Sequence, residues 1–453
     1  MPTRAERIAE LSRAARAGRW RLANLRLPAA CLLPGHGLRA GRDDLVCADL
    51  ILEGGRIAGI EAPGQDSENP SVDLAGRIAF PGFVDCHTHL DKGHIWRRTP
   101  NPDGTFDGAI ATTWRDKERF WTPEDLRARI DFALRAAHAH GTVAIRSHLD
   151  LSGDNLETLL PLFREIASDW QGRIALQPAA LLGTAEADDP ALLDRIARAL
   201  KDIPGAVLGA FARAFLDDQP DLPHRLEALI RTAERHGLPL DFHVDETTDP
   251  NSRGFLMVAE AIRATGFQGP VLCGHCCAPA TYDADLLART LDLAAGTGIS
   301  VVSLPLCNAY LLDRAAHATP RMRAVAPVHE IRAAGIPVAF GSDNTRDPFN
   351  AYGDLDLFEV YRFATWMQHL DHPVGDWPAS VTATPARIIG ADAGRIAPGA
   401  KADLVLFDAR GQDELIARPH TDRIVVRDGL PIDPPLPDYA ELDGLEGLDD
   451  LSD

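Results

Sequence analysis

Histidine and acidic side chains that can hold a metal ion recur at separate points of the chain. His87 and His89 are one residue apart, so in an extended strand both imidazoles point to the same face. Two adjacent imidazoles supply half of a metal site. With His243 and Asp343 they form a set of three histidines and one carboxylate, which can hold a divalent ion and leave a position for water. Such an ion lowers the pKa of its water toward neutrality, so the pattern predicts hydrolytic chemistry.

Two further groups are placed to move protons, and the lysines limit the number of metal ions. Glu246 and His275 lie at the ends of the apolar runs of their own segments, as the metal set does, and are natural acid–base groups. A site with two ions bridged by a carbamylated lysine needs a lysine at a strand end. None of the four lysines ends a strand-like run in the middle of the chain, which predicts a mononuclear site. These lysines are Lys92, Lys117, Lys201 and Lys401.

The elements that must position these residues alternate along the chain. Eight short apolar runs indicate strands, near residues 80–86, 142–149, 173–180, 205–211, 238–244, 270–275, 299–305 and 336–342. Helical patterns separate them, for example a capped amphipathic helix that begins at Thr122 with proline at its first position. The alternation predicts an α/β fold, a (β/α)₈ TIM barrel, whose chemistry lies at the carboxyl ends of its strands. An open doubly wound sheet is the alternative, but no Gly-x-Gly-x-x-Gly follows the first run.

The flanks of the barrel differ from it in pattern. Short strands with glycine turns occur on both sides of it, as in the hairpin around Gly54-Gly55, and they predict one small β-sandwich domain made from both ends of the chain. The predicted domains are an N-terminal helix over 1–22, the β domain over 23–80 and 385–433, the barrel over 81–384, and an acidic tail over 434–453. We expect the tail to be solvated.

Composition excludes several classes of function. The 453 residues carry a formal charge of −20, which argues against nucleic acid as a partner because phosphate contacts need clustered basic residues. No apolar run is long enough to span a membrane. The N-terminus lacks the apolar core of a signal peptide, and the seven cysteines are mostly scattered singly. Together these features predict a cytoplasmic protein with reduced thiols.

The motifs resemble those of the amidohydrolase superfamily. The stretch from Pro81 to Asp91, Pro-Gly-Phe-Val-Asp-Cys-His-Thr-His-Leu-Asp, is similar to its entry signature. Later stretches resemble the mononuclear aminohydrolases, and bacterial cytosine deaminase in particular, over residues 45–430. They are Arg146-Ser-His148-Leu-Asp150, His243-Val-Asp245-Glu246 followed by Ser252-Arg253, Gly274-His275, and Gly341-Ser-Asp343-Asn344 followed by Asp347-Pro348-Phe349.

The resemblance implies a role for each matching residue. His87, His89, His243 and Asp343 match the ligands of one divalent metal ion, either zinc or iron. Glu246 matches the acid that protonates the ring nitrogen of the substrate. His275 and Asp343 match the groups that activate the water on the metal and pass a proton to departing ammonia. The implied reaction is the hydrolytic deamination of an amino-substituted nitrogen heterocycle, in which metal-bound hydroxide attacks the amidine carbon.

The residues that would read the substrate depart from cytosine deaminase. Its glutamine after the proline of strand three is replaced by Ala179, while Gln177 precedes the proline and reaches the pocket only if a bulge re-aims it. Asn344 stands in place of an aspartate, and Phe349 in place of a tryptophan. Asp150 is a further candidate to line the pocket. Because a site built for one ring edge rejects rings that lack it, the substrate stays open among a modified pyrimidine, a pterin or purine, a triazine and a creatinine-like ring.

Two other functions remain as alternatives. The same groups would serve an amidohydrolase that opens a cyclic amide or removes an alkylamine from a triazine-like ring. The second alternative is a homologue that binds a ligand without catalysis, although such a protein has no need of the complete set of metal-binding and acid–base residues. A small heterocycle is the expected partner in either hydrolytic case, and assembly into a homo-oligomer is compatible with the resemblance.

Overall fold

The computed structural model describes residues 3–65, 68–212 and 221–446. Its strands fall into two groups, those of the flanks and those of the middle of the chain. In chain order they are β1 Arg19–Pro28, β2 Leu45–Glu53, β3 Arg56–Glu61, β4 Ser71–Asp73, β5 Ile78–Pro81, β6 Phe83–Thr88, β7 Thr142–Asp150, β8 Ala175–Gly183, β9 Leu208–Ala212, β10 Leu240–Val244, β11 Val271–His275, β12 Ile299–Ser303, β13 Val338–Phe340, β14 Leu404–Phe407, β15 Ile424–Arg427 and β16 Leu430–Ile432.

Helices connect the strands of the middle segment and lie outside them. In chain order the α-helices are α1 Arg4–Ala15, α2 Phe106–Phe120, α3 Pro123–His140, α4 Asn155–Asp169, α5 Pro190–Leu200, α6 Leu222–His236, α7 Gly254–Thr265, α8 Ala284–Ala295, α9 Pro305–Leu311, α10 Val328–Ala333, α11 Leu357–Gln368, α12 Ala383–Ile389, α13 Gln412–Ala417 and α14 Asp443–Glu446. Among the described residues, no helix is long and apolar enough to cross a membrane.

Strands β6 to β13 form one parallel sheet that closes into a barrel. Each strand pairs with its neighbour in chain order, from β6 to β13. A parallel bridge between Thr88 and Asp343 joins the first strand to the residues that follow the last one. The (β/α)₈ barrel predicted from the eight apolar runs is therefore confirmed, and the carboxyl ends of its strands meet at one mouth.

Local sequence signals account for the helices that hold the barrel. The side chain of Thr122 accepts a hydrogen bond from the backbone of Asp125 at the start of α3, and Pro123 occupies the first helical position. Gly141 ends the helix in the left-handed conformation. The apolar face of α3, with Leu126 and Ile130, is buried in the core between helices and strands. The predicted capped helix therefore matches the structure.

A second sheet contains strands from both ends of the chain. Its hydrogen-bonded order is β16-β15-β14-β5-β1-β2-β3, and β4 pairs with β1. This is the extra β domain that the hairpin patterns predict. The N-terminal helix is shorter than expected: α1 ends at Ala15, and β1 begins at Arg19 inside the segment 1–22. Gly18, with φ of 77°, makes the turn between them.

The described part of the acidic C-terminal segment is mostly exposed, and ion pairs anchor it to the barrel. Residues 439–446 form two short helical turns against the barrel. The carboxylate of Glu441 accepts two hydrogen bonds from Arg135, and Asp443 pairs with Arg97 at 3.0 Å. Composition alone did not reveal these partners, because they lie about 300 residues away along the chain. Residues 447–453 of the predicted tail lie outside the described residues.

Candidate active site

The predicted metal ligands meet at the mouth of the barrel. His87 lies on β6 and His89 directly follows it, His243 lies on β10, and Asp343 lies in the segment after β13. The Oδ1 atom of Asp343 lies 3.5 Å from Nε2 of His87 and 3.3 Å from Nε2 of His89. The Nε2 atoms of His89 and His243 are 3.1 Å apart. All four side chains are buried. The distances between them show that residues more than 250 positions apart in the chain converge on one point.

The atoms of this cluster fit a divalent cation. Both carboxylate oxygens of Asp343 and both ring nitrogens of His87 are buried without a hydrogen-bond partner among the described residues. Such atoms are costly to bury unless a ligand or ion satisfies them. Burial lowers the pKa of His89 and His243 well below the ordinary value, which keeps the rings neutral as metal ligands require. The donor set of imidazole and carboxylate suits zinc or iron.

His148 on β7 joins the cluster, and the sequence did not assign it. Its ring lies 4.2 Å from that of His87 and 4.5 Å from that of His243, measured between centroids. One ring nitrogen from each of these three histidines lies within 4.8 Å of the other two. Its position at a strand end was visible in the sequence, but nothing there separated a ligand from a buried structural histidine.

Two glycines give His87 its room. A Cβ atom at Gly274 would lie 2.7 Å from Cε1 of the His87 ring, and one at Gly341 would lie 2.9 Å from its carbonyl oxygen. Asp85 fixes the same region, because its carboxylate accepts hydrogen bonds from the backbone of His87 and from the hydroxyl of Ser342. The sequence around His87 is therefore constrained by close contact between neighbouring strands.

The predicted proton-handling groups lie beside the cluster. Nδ1 of His275 is 3.5 Å from Oε1 of Glu246, and Glu246, His275 and Asp343 each place one ligand atom within 4.8 Å of the others. Burial lowers the pKa of His275 to about 3. His275 and Asp343 both have positive φ, 69° and 59°, a strained conformation that is typical of functional sites.

Asn308 on α9 orients the ring of His275. Its Nδ2 atom donates a hydrogen bond of 2.9 Å to Nδ1 of His275, while its Oδ1 atom accepts from the thiol of Cys277 at 3.3 Å. With Nδ1 as the acceptor, the proton of the neutral ring is on Nε2. No role was assigned to Asn308 from the sequence, and the structure gives it this contact.

The loop after β10 is held by a buried carboxylate. Asp245 accepts hydrogen bonds from the hydroxyl of Ser252 at 2.6 Å and from the backbone of Gly254 and Phe255 at the start of α7. These contacts satisfy free N–H groups at a helix N-terminus. They also fix the backbone that carries Glu246, so the stretch from His243 to Ser252 acts as one structural unit.

A cavity of about 220 Å³ opens above the cluster. Its wall is largely aromatic and aliphatic, and one face of α2 covers it. The lining residues are His89, Lys92, Phe106, Ile110, Thr113, Trp114, Lys117, Trp121, Asp150, Ser152, Leu181, Leu182, Gly183, Glu186, Phe211, His243, Glu246, His275, Asn344 and Phe349. Phe106 and Phe211 stack with their ring planes 16° apart. A cavity below the ~300 Å³ typical of drug-sized ligands suits a small flat ring.

Three of the four predicted substrate contacts line this cavity. Asn344, Phe349 and Asp150 all face it. Asn344 donates to Oδ2 of Asp347 at 2.7 Å. Asp150 accepts from Lys117 at 2.8 Å, so it lines the cavity as part of an ion pair.

Gln177 does not reach the cavity, which corrects the fourth prediction. Its amide donates to the carbonyl of Ile389 at 2.9 Å, and its oxygen accepts from Arg146. The reason is the length of the strand: β8 extends to Gly183, three residues beyond the predicted run. The residues at its carboxyl end are therefore 181–183, and Gln177 lies lower in the barrel wall.

The sequence missed several polar residues of the cavity. Glu186 follows β8, Ser152 follows β7, and Lys117 lies on α2. The spacing of Phe106, Ile110, Thr113, Trp114 and Lys117 places them on one helical face, and this periodicity was available as a signal. A rule that considers only strand ends does not find them.

Comparison with known proteins identifies the family. Residues 71–221 and 210–432 match the Amidohydrolase family. The chain belongs to this family. It is 44% identical over 433 residues to a pterin deaminase from Rhizobium rhizogenes, an alignment that covers 95% of this chain and 98% of that protein. As an amidohydrolase, the chain is a hydrolase of carbon–nitrogen bonds of the aminohydrolase type.

Solved structures agree with this assignment. The 5-methylcytosine deaminase from Klebsiella pneumoniae with bound 5-fluorocytosine superimposes with a TM-score of 0.77 at 25% identity, covering 92% of this chain and 98% of that one. N-isopropylammelide isopropylaminohydrolase from Burkholderia multivorans gives a TM-score of 0.70 at 27% identity, covering 91% and 98%. The predicted resemblance to the cytosine-deaminase-like aminohydrolases is therefore confirmed.

Proposed function

We propose that this amidohydrolase deaminates pterin, a fused bicyclic ring with an amino group at C2 and a carbonyl at C4. The observation that carries the proposal is the match along almost the full chain, at 44% identity, to a pterin deaminase. The departures from cytosine deaminase at Ala179, Asn344 and Phe349 point in the same direction, because they change the substrate-reading residues and leave the acid–base set complete. The aromatic walls of the cavity suit a flat bicyclic ring.

One divalent ion completes the site in this proposal. His87, His89, His243 and Asp343 would hold it, and their buried atoms without partners support this assignment. We infer a single ion because none of the four lysines, Lys92, Lys117, Lys201 and Lys401, ends a strand of the barrel, where a bridging carbamylated lysine would have to lie. When bound, the ion supplies a water molecule of lowered pKa as the nucleophile.

The residues of the chain handle the protons of the reaction. In pterin, C2 lies between N3, which carries hydrogen, and N1, which is an imine nitrogen and can accept a proton. Glu246 donates a proton to N1 as the oxygen of water bonds to C2. In the tautomer with its proton on Nε2, His275 orients the attacking water as a hydrogen-bond donor. Asp343 takes a proton from that water and passes it to the amino group, because an amine leaves only when protonated. The bond between C2 and nitrogen then breaks, and the first proton of water leaves on ammonia. The second proton of water passes to Glu246 and replaces the proton that Glu246 gave to N1.

An ammonia-release assay tests the proposal. Metal-loaded protein is incubated with pterin and with cytosine, and we expect ammonia from pterin and the corresponding ring with two carbonyl groups. Glu246→Gln should lower kcat by roughly 10²- to 10⁴-fold, the range for loss of a general acid. Glu165→Gln, an exposed carboxylate on α4, is the matched control and should behave as wild type. If pterin releases no ammonia, or if Glu246→Gln equals wild type, the proposal is wrong.

Removal of an alkylamine from a triazine ring is the second candidate. The structural likeness to N-isopropylammelide isopropylaminohydrolase favours it. The same groups would protonate a ring nitrogen and the departing amine. Adding N-isopropylammelide to the substrate panel separates the two candidates, because this reaction yields isopropylamine in place of ammonia.

A further inference from the structure

Lys92 is a cavity residue whose charged group has no acceptor. It follows β6 by four residues and lines the cavity beside Asn344 and Phe349. Its Nζ atom lies 4.8 Å from the centroid of the Phe349 ring. Among residues 3–65, 68–212 and 221–446, that atom forms no ion pair or hydrogen bond. An ammonium group in a partly buried position is stabilised when a ligand supplies an oxygen acceptor.

The other polar groups near that wall are already engaged. Lys117, the second lysine of the cavity, binds Asp150 at 2.8 Å and Ser152 at 3.0 Å. The amide nitrogen of Asn344 is bonded to Asp347, and its oxygen lies 3.7 Å from the thiol of Cys307. Lys92 is therefore the cation of this cavity that has donors available for a substrate.

The position of Lys92 in the barrel matches one atom of the proposed substrate. It follows β6, and Glu246 follows β10; three strands separate β6 from β10 on either side of the closed barrel. In the pyrimidine part of pterin, C4 lies across the ring from N1. When Glu246 faces N1, the carbonyl oxygen on C4 therefore points toward the side of the barrel that carries Lys92.

We propose that Lys92 binds the ring carbonyl oxygen of the substrate and makes the site select 2-amino-4-oxo rings over 2-amino rings without that carbonyl. The inference rests on the proposed pterin deamination and adds the group that is recognised. Glutamine serves to read the ring edge in cytosine deaminase, whereas Gln177 here bonds to Ile389 and Arg146, away from the cavity. The positive charge of Lys92 also stabilises the negative charge that develops on the carbonyl oxygen when water attacks C2.

Pairing a residue change with removal of a substrate group tests the proposal. Wild type, Lys92→Met, Lys92→Arg and the exposed control Lys201→Met are assayed with pterin and with 2-aminopteridine, which lacks the carbonyl. We expect Lys92→Met to lower kcat/KM for pterin by roughly 10- to 100-fold, the range for a hydrogen bond from a charged group. Its effect on 2-aminopteridine should be less than about threefold, and Lys92→Arg should restore part of the pterin activity.

Equilibrium binding supplies a second readout that does not depend on turnover. Pteridin-4-one and pteridine lack the amino group, and their binding is followed by quenching of protein fluorescence. Lys92→Met should weaken binding of pteridin-4-one by a factor similar to its loss of kcat/KM for pterin, and it should leave binding of pteridine unchanged. Metal content is measured for each variant, because an equal loss on all ligands together with lost metal would assign Lys92 to the metal cluster.

The outcomes separate the inference from the proposed function. If wild type deaminates both rings and Lys92→Met slows both equally, Lys92 does not recognise the carbonyl, and pterin deamination stands. If Lys92→Met leaves pterin turnover and pteridin-4-one binding unchanged, the inference about Lys92 is again refuted while pterin deamination stands. If wild type releases ammonia from neither ring, the proposed function and this inference fail together.

Discussion

Replacing Gly274 by alanine should disable the site without touching any of its ligands. Gly274 lies on β11, directly beside the ring of His87. An added Cβ atom would lie 2.7 Å from Cε1 and 3.0 Å from Nδ1 of that ring. Carbon atoms in contact are normally about 3.5–4.0 Å apart, so the ring must move by about 1 Å.

The surroundings decide what that displacement costs. His87 is fully buried, and the rings of His148 and His243 lie 4.2 and 4.5 Å away, so the imidazole has no empty space to enter. Metal–ligand distances tolerate only about 0.2 Å, and a misplacement of about 1 Å near the reacting atoms costs on the order of 10²-fold in rate. We therefore expect metal affinity and kcat/KM to fall by roughly 10- to 100-fold each.

The assay compares Gly274→Ala with Gly296→Ala. Gly296 is exposed after α8, and an added Cβ atom there has contacts of 3.5 Å or more. Metal content by elemental analysis, ammonia release and the far-ultraviolet circular dichroism spectrum are recorded for both proteins. A Gly274→Ala protein that keeps full metal content and full activity would refute the close-packing argument, and an unfolded one is recognised by its spectrum.

Three further outcomes follow from the structure. Asn308→Asp replaces the donor to His275 by an acceptor, which favours the other ring tautomer, so steady-state kinetics should show kcat reduced at least about tenfold with little change in KM. Burial raises the pKa of Asp356, but Arg423, His140 and the backbone N–H of Phe358 together lower it more, so the pKa is below its ordinary value. These contacts therefore stabilise the fold above about pH 4, and chemical denaturation of wild type should show that stabilisation lost as the pH falls further, whereas Asp356→Asn should show no such loss. Chelation should abolish ammonia release and lower Tm by several degrees in a thermal scan, with both restored by adding metal back.

The sequence predicted the barrel and brought together most of the buried histidine and aspartate cluster for a clear reason. Parallel strands buried on both faces appear as short apolar runs, and their carboxyl ends meet at one mouth. His87 on β6 and His89 just after it are two positions apart in an extended segment, so their shared direction followed from strand geometry alone. His243 and Asp343 could be added because they also end apolar runs. The roles of these residues remain predictions that the assays above test.

The remaining features depended on information that lies outside any local pattern. Gln177 was misplaced because the end of β8 was set three residues early, and the depth of a residue in the barrel wall depends on its distance from the carboxyl end of its strand. The docking of Glu441 on Arg135 joins distant charges that composition cannot pair. His148 shows the same limit, since a buried histidine and a ligand look identical in sequence. The cytoplasmic location stays a prediction from composition.

The most direct test of this account is mass spectrometry of the product formed from pterin in water enriched in oxygen-18. Hydrolytic deamination predicts an intact bicyclic ring that carries one oxygen-18 atom at C2, formed together with one equivalent of ammonia. Unchanged pterin, or a product in which the amino group remains and the ring has opened, would contradict it.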